Sequence, residues 1–266
     1  MANISYGMIS PHPPLLIPEI GGERIIDVKN TDRSYDLAAK NLVSYNPDVV
    51  VFITPHGPIS RNKIRICSSS QFYGDFAMFG LPFIKYIANG NTEFAKSAFE
   101  HCKKCGVNVE LIDYPVLDHG VMVPLHYLNK NGFKKDILPI VISLDSLNVL
   151  FDFGKRLNQK IEQGEKKVCI VASADMSHSL TKDAPNGYNP NGLIFDKKLV
   201  ELVKKNDVQG ILNFDEQLAE EANQDALWSI AILLGIIDGL GFESEVLSYE
   251  GPFGVGYMVA EYKKKR

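Results

Sequence analysis

Imidazole both ligates transition metals and exchanges protons near neutral pH, and this chain of 266 residues carries six histidines. Four lie in turn-like segments: His12 in Pro11-His12-Pro13-Pro14, His56 in Thr54-Pro55-His56-Gly57, His119 in Leu117-Asp118-His119-Gly120, and His178 in Ala174-Asp175-Met176-Ser177-His178. His12, His56 and His178 each follow an apolar, strand-like run, while His119 sits in a loop between a strand-like run and a helix. Loops at the carboxyl ends of parallel strands form the ligand crevice of an α/β sheet, so histidines remote in the chain are placed to converge there. A single loop histidine is ordinarily a surface residue; the recurrence is what points to a shared metal or acid–base centre. Prolines beside His12 and His56 fix φ and stiffen the loops, and a metal ligand benefits from such rigidity.

Other candidates carry less. His101 and His126 sit in helical patterns and read as packing or surface residues. Cys102-x-x-Cys105 lacks the second ligand pair of a zinc ribbon and reads as the last turn of an exposed helix. Gly251-x-x-Gly254-x-Gly256 has the wrong context for a dinucleotide fingerprint and reads as a turn. Neither a G-x-S-x-G elbow nor a phosphate loop is present.

The elements that would hold the histidines alternate between β and α. Val49 to Ile53 and Val168 to Ala172 are continuous apolar runs, as expected of strands covered on both faces. Ile137 to Ile142 is similar, although Pro139 is awkward in a central strand, and Ile4 to Ile9 is the first strand. Tyr35, Ala38, Ala39 and Leu42 fall at helical spacing, with Thr31 or Asp32 as cap and Asn46-Pro47 as stop. Asn91 to Cys105, Leu147 to Gln163, Ile194 to Lys205 and the apolar Ala226 to Ile237 are further helices. Glu245 to Tyr249 and Gly256 to Tyr262 form a final strand pair. The pattern predicts one α/β domain over residues 1–266, with a central, mainly parallel sheet flanked by helices on both faces.

Composition narrows the setting. A net charge of −4 and 45% hydrophobic residues describe an ordinary globular protein, without the basic footprint of a nucleic-acid binder. Four cysteines make no disulfide framework, and Met-Ala-Asn-Ile-Ser does not open like a signal peptide. Ala226 to Ile237 is too short to cross a bilayer. These features predict a reduced, cytoplasmic, non-membrane protein, with a frayed basic end from Lys263 to Arg266.

The same histidine segments carry a family resemblance. Asp118-His119-Gly120-Val121-Met122-Val123-Pro124-Leu125 resembles the DHG-x-x-VPL segment of the LigB-type class III extradiol dioxygenases. Met176-Ser177-His178-Ser179-Leu180 is similar to the segment that carries their catalytic base, and His12 and His56 lie where that family places two metal-binding histidines. The likeness extends from residue 6 to about 260. Within the superfamily the Asp175-Met176-Ser177-His178 spacing and the segment Tyr249 to Tyr257 resemble the Memo-like branch.

The resemblance implies a non-haem Fe(II) held by two histidines and a carboxylate with open positions. Zinc is a possible occupant of the purified protein, since it binds such sites more tightly. It further implies O2 and a catechol-like or other small aromatic substrate, His178 as general acid/base, His119 bonding the substrate or oxygen, and Asp118 or Asp175 orienting an imidazole. The third ligand is where the chain departs: relatives supply a glutamate, or in the Memo-like group a cysteine, at the start of a C-terminal helix. Asp225 falls at that place, with Glu221 and Glu250 as reserves. The alternative reading is a Memo-like metal-binding accessory protein without ring cleavage, and a zinc hydrolase needs a similar ligand set. A symmetric homodimer is the general expectation for a soluble enzyme.

Overall fold

Alternate residues of the apolar runs leave a strand in opposite directions, and here both directions end in packed side chains. Val49, Val51, Ile53, Ile170 and Ala172 belong to one buried cluster, while Val50, Phe52, Cys169 and Val171 belong to another. The computed structural model describes residues 3–264. Its elements run β1 (Ile4–Ser10), a short α1 (Pro18–Gly21), α2 (Lys29–Ser44), β2 (Val49–Thr54), β3 (Ile64–Cys67), and the hairpin β4 (Gln71–Phe76) and β5 (Leu81–Asn89). There follow α3 (Thr92–Lys104), β6 (Val109–Ile112), α4 (His119–Lys130), β7 (Asp136–Val141), α5 (Leu147–Glu162) and β8 (Val168–Ser173). The chain continues through α6 (Pro190–Lys204), α7 (Val208–Leu212), α8 (Glu216–Glu221) and α9 (Ala226–Ile237) to β9 (Phe242–Glu250) and β10 (Tyr257–Lys264).

Eight strands form one sheet in the order β6-β3-β7-β2-β8-β1-β10-β9. The centre, β7-β2-β8-β1, is parallel throughout. Antiparallel pairings flank it at β3–β7, β1–β10 and β10–β9. Helices α3, α5, α6 and α9 cover one face, and α2, α4 and the β4–β5 hairpin cover the other. The expected α/β domain with a mainly parallel sheet is the one observed. Among the described residues no helix is long and apolar enough to cross a membrane.

Several local expectations are corrected. Pro139 does sit in a central strand: β7 pairs with β3 only at Ile140 and Val141, so the position lacking an N–H precedes that ladder. Helix α2 begins at Lys29, and neither Thr31 nor Asp32 caps it. Instead Glu250, from the far end of the chain, accepts from Thr31 N at 2.7 Å and Asn30 Nδ2 at 3.1 Å, placing a carboxylate at the positive end of the helix. Helix α6 starts at Pro190, four residues before Ile194, with proline in its favoured first turn. His119 is the first residue of α4 rather than part of a loop. Lys263 and Lys264 belong to β10, where Lys263 pairs with Glu261 and Glu245. Met1, Ala2, Lys265 and Arg266, on which the readings of the two ends partly rest, lie outside the described residues.

One packing detail bears on the site. Helices α5 and α9 approach through Gly154 and Gly235; a Cβ on Gly235 would run into the Phe151 carbonyl oxygen, and one on Gly154 into that of Ile232. Because backbone cannot yield as a flexible side chain does, Gly235→Ala is expected to destabilise the fold by about 1–3 kcal/mol. The denaturation midpoint measures this, and an unchanged midpoint would mean that the two helices part without cost. Asp225 stands at the head of α9, so this contact also helps to seat it.

Candidate metal centre

The three adjacent strands β2, β8 and β1 end on one side of the sheet, and the residues that follow them meet there. His12 comes two residues after β1, His56 two after β2, and Asp175 to His178 follow β8; His119 opens α4, and Asp225 precedes α9. His12 Nε2 and His56 Nε2 are 2.9 Å apart. Ring nitrogens of His12, His56 and His119 all lie within 4.8 Å of one another. Asp225 Oδ2 reaches 3.4 Å from His12 Nε2 and 3.7 Å from His56 Nε2. Asp225 makes no side-chain cap on its own helix; Gln224 Oε1 accepts from Leu227 N instead, at 2.8 Å. Its carboxylate is thus turned away from the helix and toward the imidazoles.

Buried polar groups hold this arrangement. Asp175 Oδ1 accepts from the backbone N–H of His12 (2.8 Å), and Asp175 N donates to Asp225 Oδ1 (2.8 Å). Ser173 Oγ lies 2.8 Å from His12 Nδ1. If that ring nitrogen carries the proton, Nε2 presents a lone pair to the cluster. Asp118 Oδ1 accepts from Thr54 Oγ1 (2.8 Å) and caps α4 through Val121 N (3.2 Å). Neither Asp118 nor Asp175 makes a hydrogen bond to an imidazole ring; their bonds steady the main chain beneath the histidines. Asp175 comes no closer to the His12 ring than an ion-pair distance of 3.8 Å.

His178 is set differently. Its backbone N donates to Ala222 O (3.0 Å), and its Nδ1 lies 2.8 Å from Asn223 O. A carbonyl only accepts, so Nδ1 carries a proton and, in the neutral ring, Nε2 carries the lone pair. Asn223 holds this carbonyl in place from a left-handed backbone conformation (φ 52°), which asparagine tolerates better than most residues. Ser173 and Asn223 escaped the sequence reading; a strand-end serine and an asparagine between helices leave no spacing signal. Glu221 bonds Asn191 and Gln217, and Glu250 caps α2, so neither reserve carboxylate joins the cluster. His126 bonds Tyr86 (2.8 Å), and His101 lies beside Cys105 on α3, both away from it.

The electrostatics concentrate one positive charge at His12. Burial, the largest influence, opposes its protonation, but Asp175 and Asp225 outweigh burial and carry its pKa up to about 9. Burial and the charge on His12 push His56 down to about 4 and His119 down to about 3. Burial raises Asp175, whereas at Asp225 burial is overcome by His12, His178 and His56, which hold it below its usual range.

Once His12 gives up its proton, imidazoles and an ionised carboxylate facing one point are the donor chemistry of a divalent transition metal. A nitrogen–nitrogen separation of 2.9 Å also suits two ligands each about 2.0–2.1 Å from one ion. The residues therefore fit a metal. A metal must displace the His12 proton below pH 9, so its affinity is expected to fall about tenfold per pH unit as pH drops and to level off above 9. Binding titrations at pH 7, 8 and 9 test this, and a flat profile would refute the assigned proton.

Comparisons with known proteins bear on the family and the fold. A protein of Clostridium acetobutylicum, CA_C1420, is 33% identical over 258 residues, covering 94% of this chain and 55% of that protein. A 3,4-dihydroxyphenylacetate 2,3-dioxygenase of Escherichia coli is 27% identical over 172 residues, covering 59% of this chain and 60% of the enzyme. The chain thus spans little more than half the length of either relative. The crystal structure of an uncharacterized protein of Escherichia coli K12, JW3007, shares the fold with a TM-score of 0.69 at 15% identity, covering 97% of this chain and 99% of that one. Residues 6–260 match the family described as the catalytic LigB subunit of aromatic ring-opening dioxygenase. That match runs through every segment that builds the centre, and the chain belongs to the LigB family.

Proposed function

We propose that residues 1–266 form one catalytic domain, a non-haem Fe(II)-dependent extradiol dioxygenase of the Memo-like branch that acts with O2 on a catechol-like or other small aromatic substrate. The observation that carries this reading is the pairing of two different devices at one place. Asp225 faces His12 and His56 (3.4 and 3.7 Å), while His178 offers a free Nε2 backed by Asn223 O. A purely structural metal needs the first device and has no use for the second.

In this reading His12, His56 and Asp225 would hold the ion. When bound, Fe(II) would supply the Lewis acidity and the redox capacity that a reaction between a catechol and O2 requires. His178 Nε2 accepts the proton of a substrate hydroxyl, and Nδ1–H stays on Asn223 O as the ring becomes cationic. Asp175 and Asp225 lie close enough for His178 to act on their ionisation. His119, kept neutral by burial and by His12 and His56, is placed to give a hydrogen bond to a substrate oxygen without surrendering a full proton. Phe79 stands 5.7 Å from the His119 ring and provides an apolar wall against which an aromatic ring can stack. Both atoms of O2 enter the product, and the ring opens beside the two hydroxyls.

Metal analysis of protein purified without oxygen, followed by O2 uptake with a panel of catechols after Fe(II) reconstitution, tests the proposal. One iron per chain and one O2 consumed per catechol are expected. Bound metal with uptake at background across the panel would replace the enzyme by a metal-binding accessory protein. Absence of metal under every loading condition would sink the site assignment.

A further inference from the structure

A cavity of about 550 Å³ lies next to the histidine cluster but is lined by none of its histidines. It opens between the β7–α5 connection, the α7–α8 segment and the first turn of α9. Its volume falls within the ~300–1,000 Å³ of small-molecule sites. Leu147, Leu212, Phe214, Leu227 and Trp228 supply an apolar lining. The charged groups around it are all of one sign: Asp145, Glu216 and Glu220, with no lysine, arginine or histidine among the lining residues.

Glu216 and Glu220 stand one turn apart on α8, a spacing at which like charges repel, and neither forms a salt bridge among the described residues. Among the described residues Asp145 accepts only a hydroxyl, that of Ser143 at 2.7 Å. Lys198 is engaged over the Phe214 ring, 4.5 Å from its centre, and does not line the cavity. An apolar, aromatic-lined cavity with uncompensated negative charge is complementary to a molecule with a cationic head and an apolar body. A carboxylate ligand would meet repulsion, and a neutral one would leave the charges unanswered.

We propose that this cavity is a binding site for a small amphiphilic amine, its ammonium among the carboxylates and its apolar body against Trp228 and Leu147. The site adjoins the metal centre through one short segment. Asn223 and Gln224 line the cavity, the Asn223 carbonyl holds His178, and the next residue, Asp225, faces His12 and His56. The proposal goes beyond the dioxygenase reading and does not depend on it.

Trp228 is the single tryptophan of the chain, so its emission reports occupancy directly. The full chain, as purified, is titrated with 2-phenylethylamine, 2-phenylethanol and 3-phenylpropionate under selective tryptophan excitation. The expected result is a saturable change with the amine and at least tenfold weaker binding of the alcohol and the acid. The double substitution E216Q/E220Q changes two exposed side chains and is expected to weaken the amine at least tenfold with an unaltered circular dichroism spectrum. No saturable change, equal binding of the three compounds, or undiminished amine binding by the folded double variant would each overturn the proposal.

Discussion

Replacing His56 with alanine is expected to leave a folded chain that no longer retains a metal ion. Its ring nitrogen is 2.9 Å from that of His12, and its side chain is 30% exposed, so the truncation opens toward solvent instead of leaving a sealed cavity. His12→Ala is expected to do the same to the metal at a higher cost to stability. Its side chain is only 2% exposed and is the nearest positive partner of Asp175 and Asp225, and removing one member of a buried charge pair is strongly destabilising. Loss of a residue that merely supports a ligand already costs about 10–100-fold in metal affinity, and loss of a ligand itself should exceed that. Metal content after dialysis, read beside circular dichroism, separates lost binding from lost folding. Full occupancy in a folded double variant would remove both histidines from the ion.

His178→Ala is expected to behave in the opposite way, keeping the metal and losing turnover by about 10²–10⁴-fold, the usual contribution of a positioned acid or base. The physical basis is the Asn223 carbonyl: by accepting from Nδ1 it leaves the lone pair of the neutral ring on the other nitrogen and aims it. A small residue in its place leaves His12, His56 and Asp225 undisturbed, because the connection carrying Asp225 is also held by the bond from Asp225 N to Asp175 O and by that from Asp175 N to Asp225 Oδ1. Unchanged metal content with lowered O2 uptake is the result that supports an acid–base role. A variant that loses its metal would move His178 into the ligand set.

Much of the scaffold was legible from local pattern. Val49 to Ile53 and Val168 to Ala172 read as strands because a strand buried on both faces must be apolar at every position, and Ala226 to Ile237 read as a buried helix for the corresponding reason. Of β6 only a strand-like run ahead of His119 was legible, while β3 and the hairpin β4–β5 went unread. The first two are four residues long, too short to display a period, and the hairpin alternates buried and exposed residues irregularly. A cap on α2 supplied by Glu250, more than two hundred residues away, leaves no trace near the helix it serves.

The centre divides along the same line. Residue type and strand-end position were enough to single out His12, His56, His119 and His178, because a crevice at the carboxyl ends of parallel strands is a property of the fold class. The place of Asp225 at the entrance of an apolar helix was equally visible. Only the tertiary structure decided that β2, β8 and β1 are neighbours, that His119 closes on His12 and His56, and that the Asp225 carboxylate turns from its helix to the imidazoles. It also decided which partner sets each ring, Ser173 for His12 and the Asn223 carbonyl for His178. Those choices rest on hydrogen bonds between groups 161 and 45 residues apart, and a directional contact at such range imposes no periodicity on the sequence at either end.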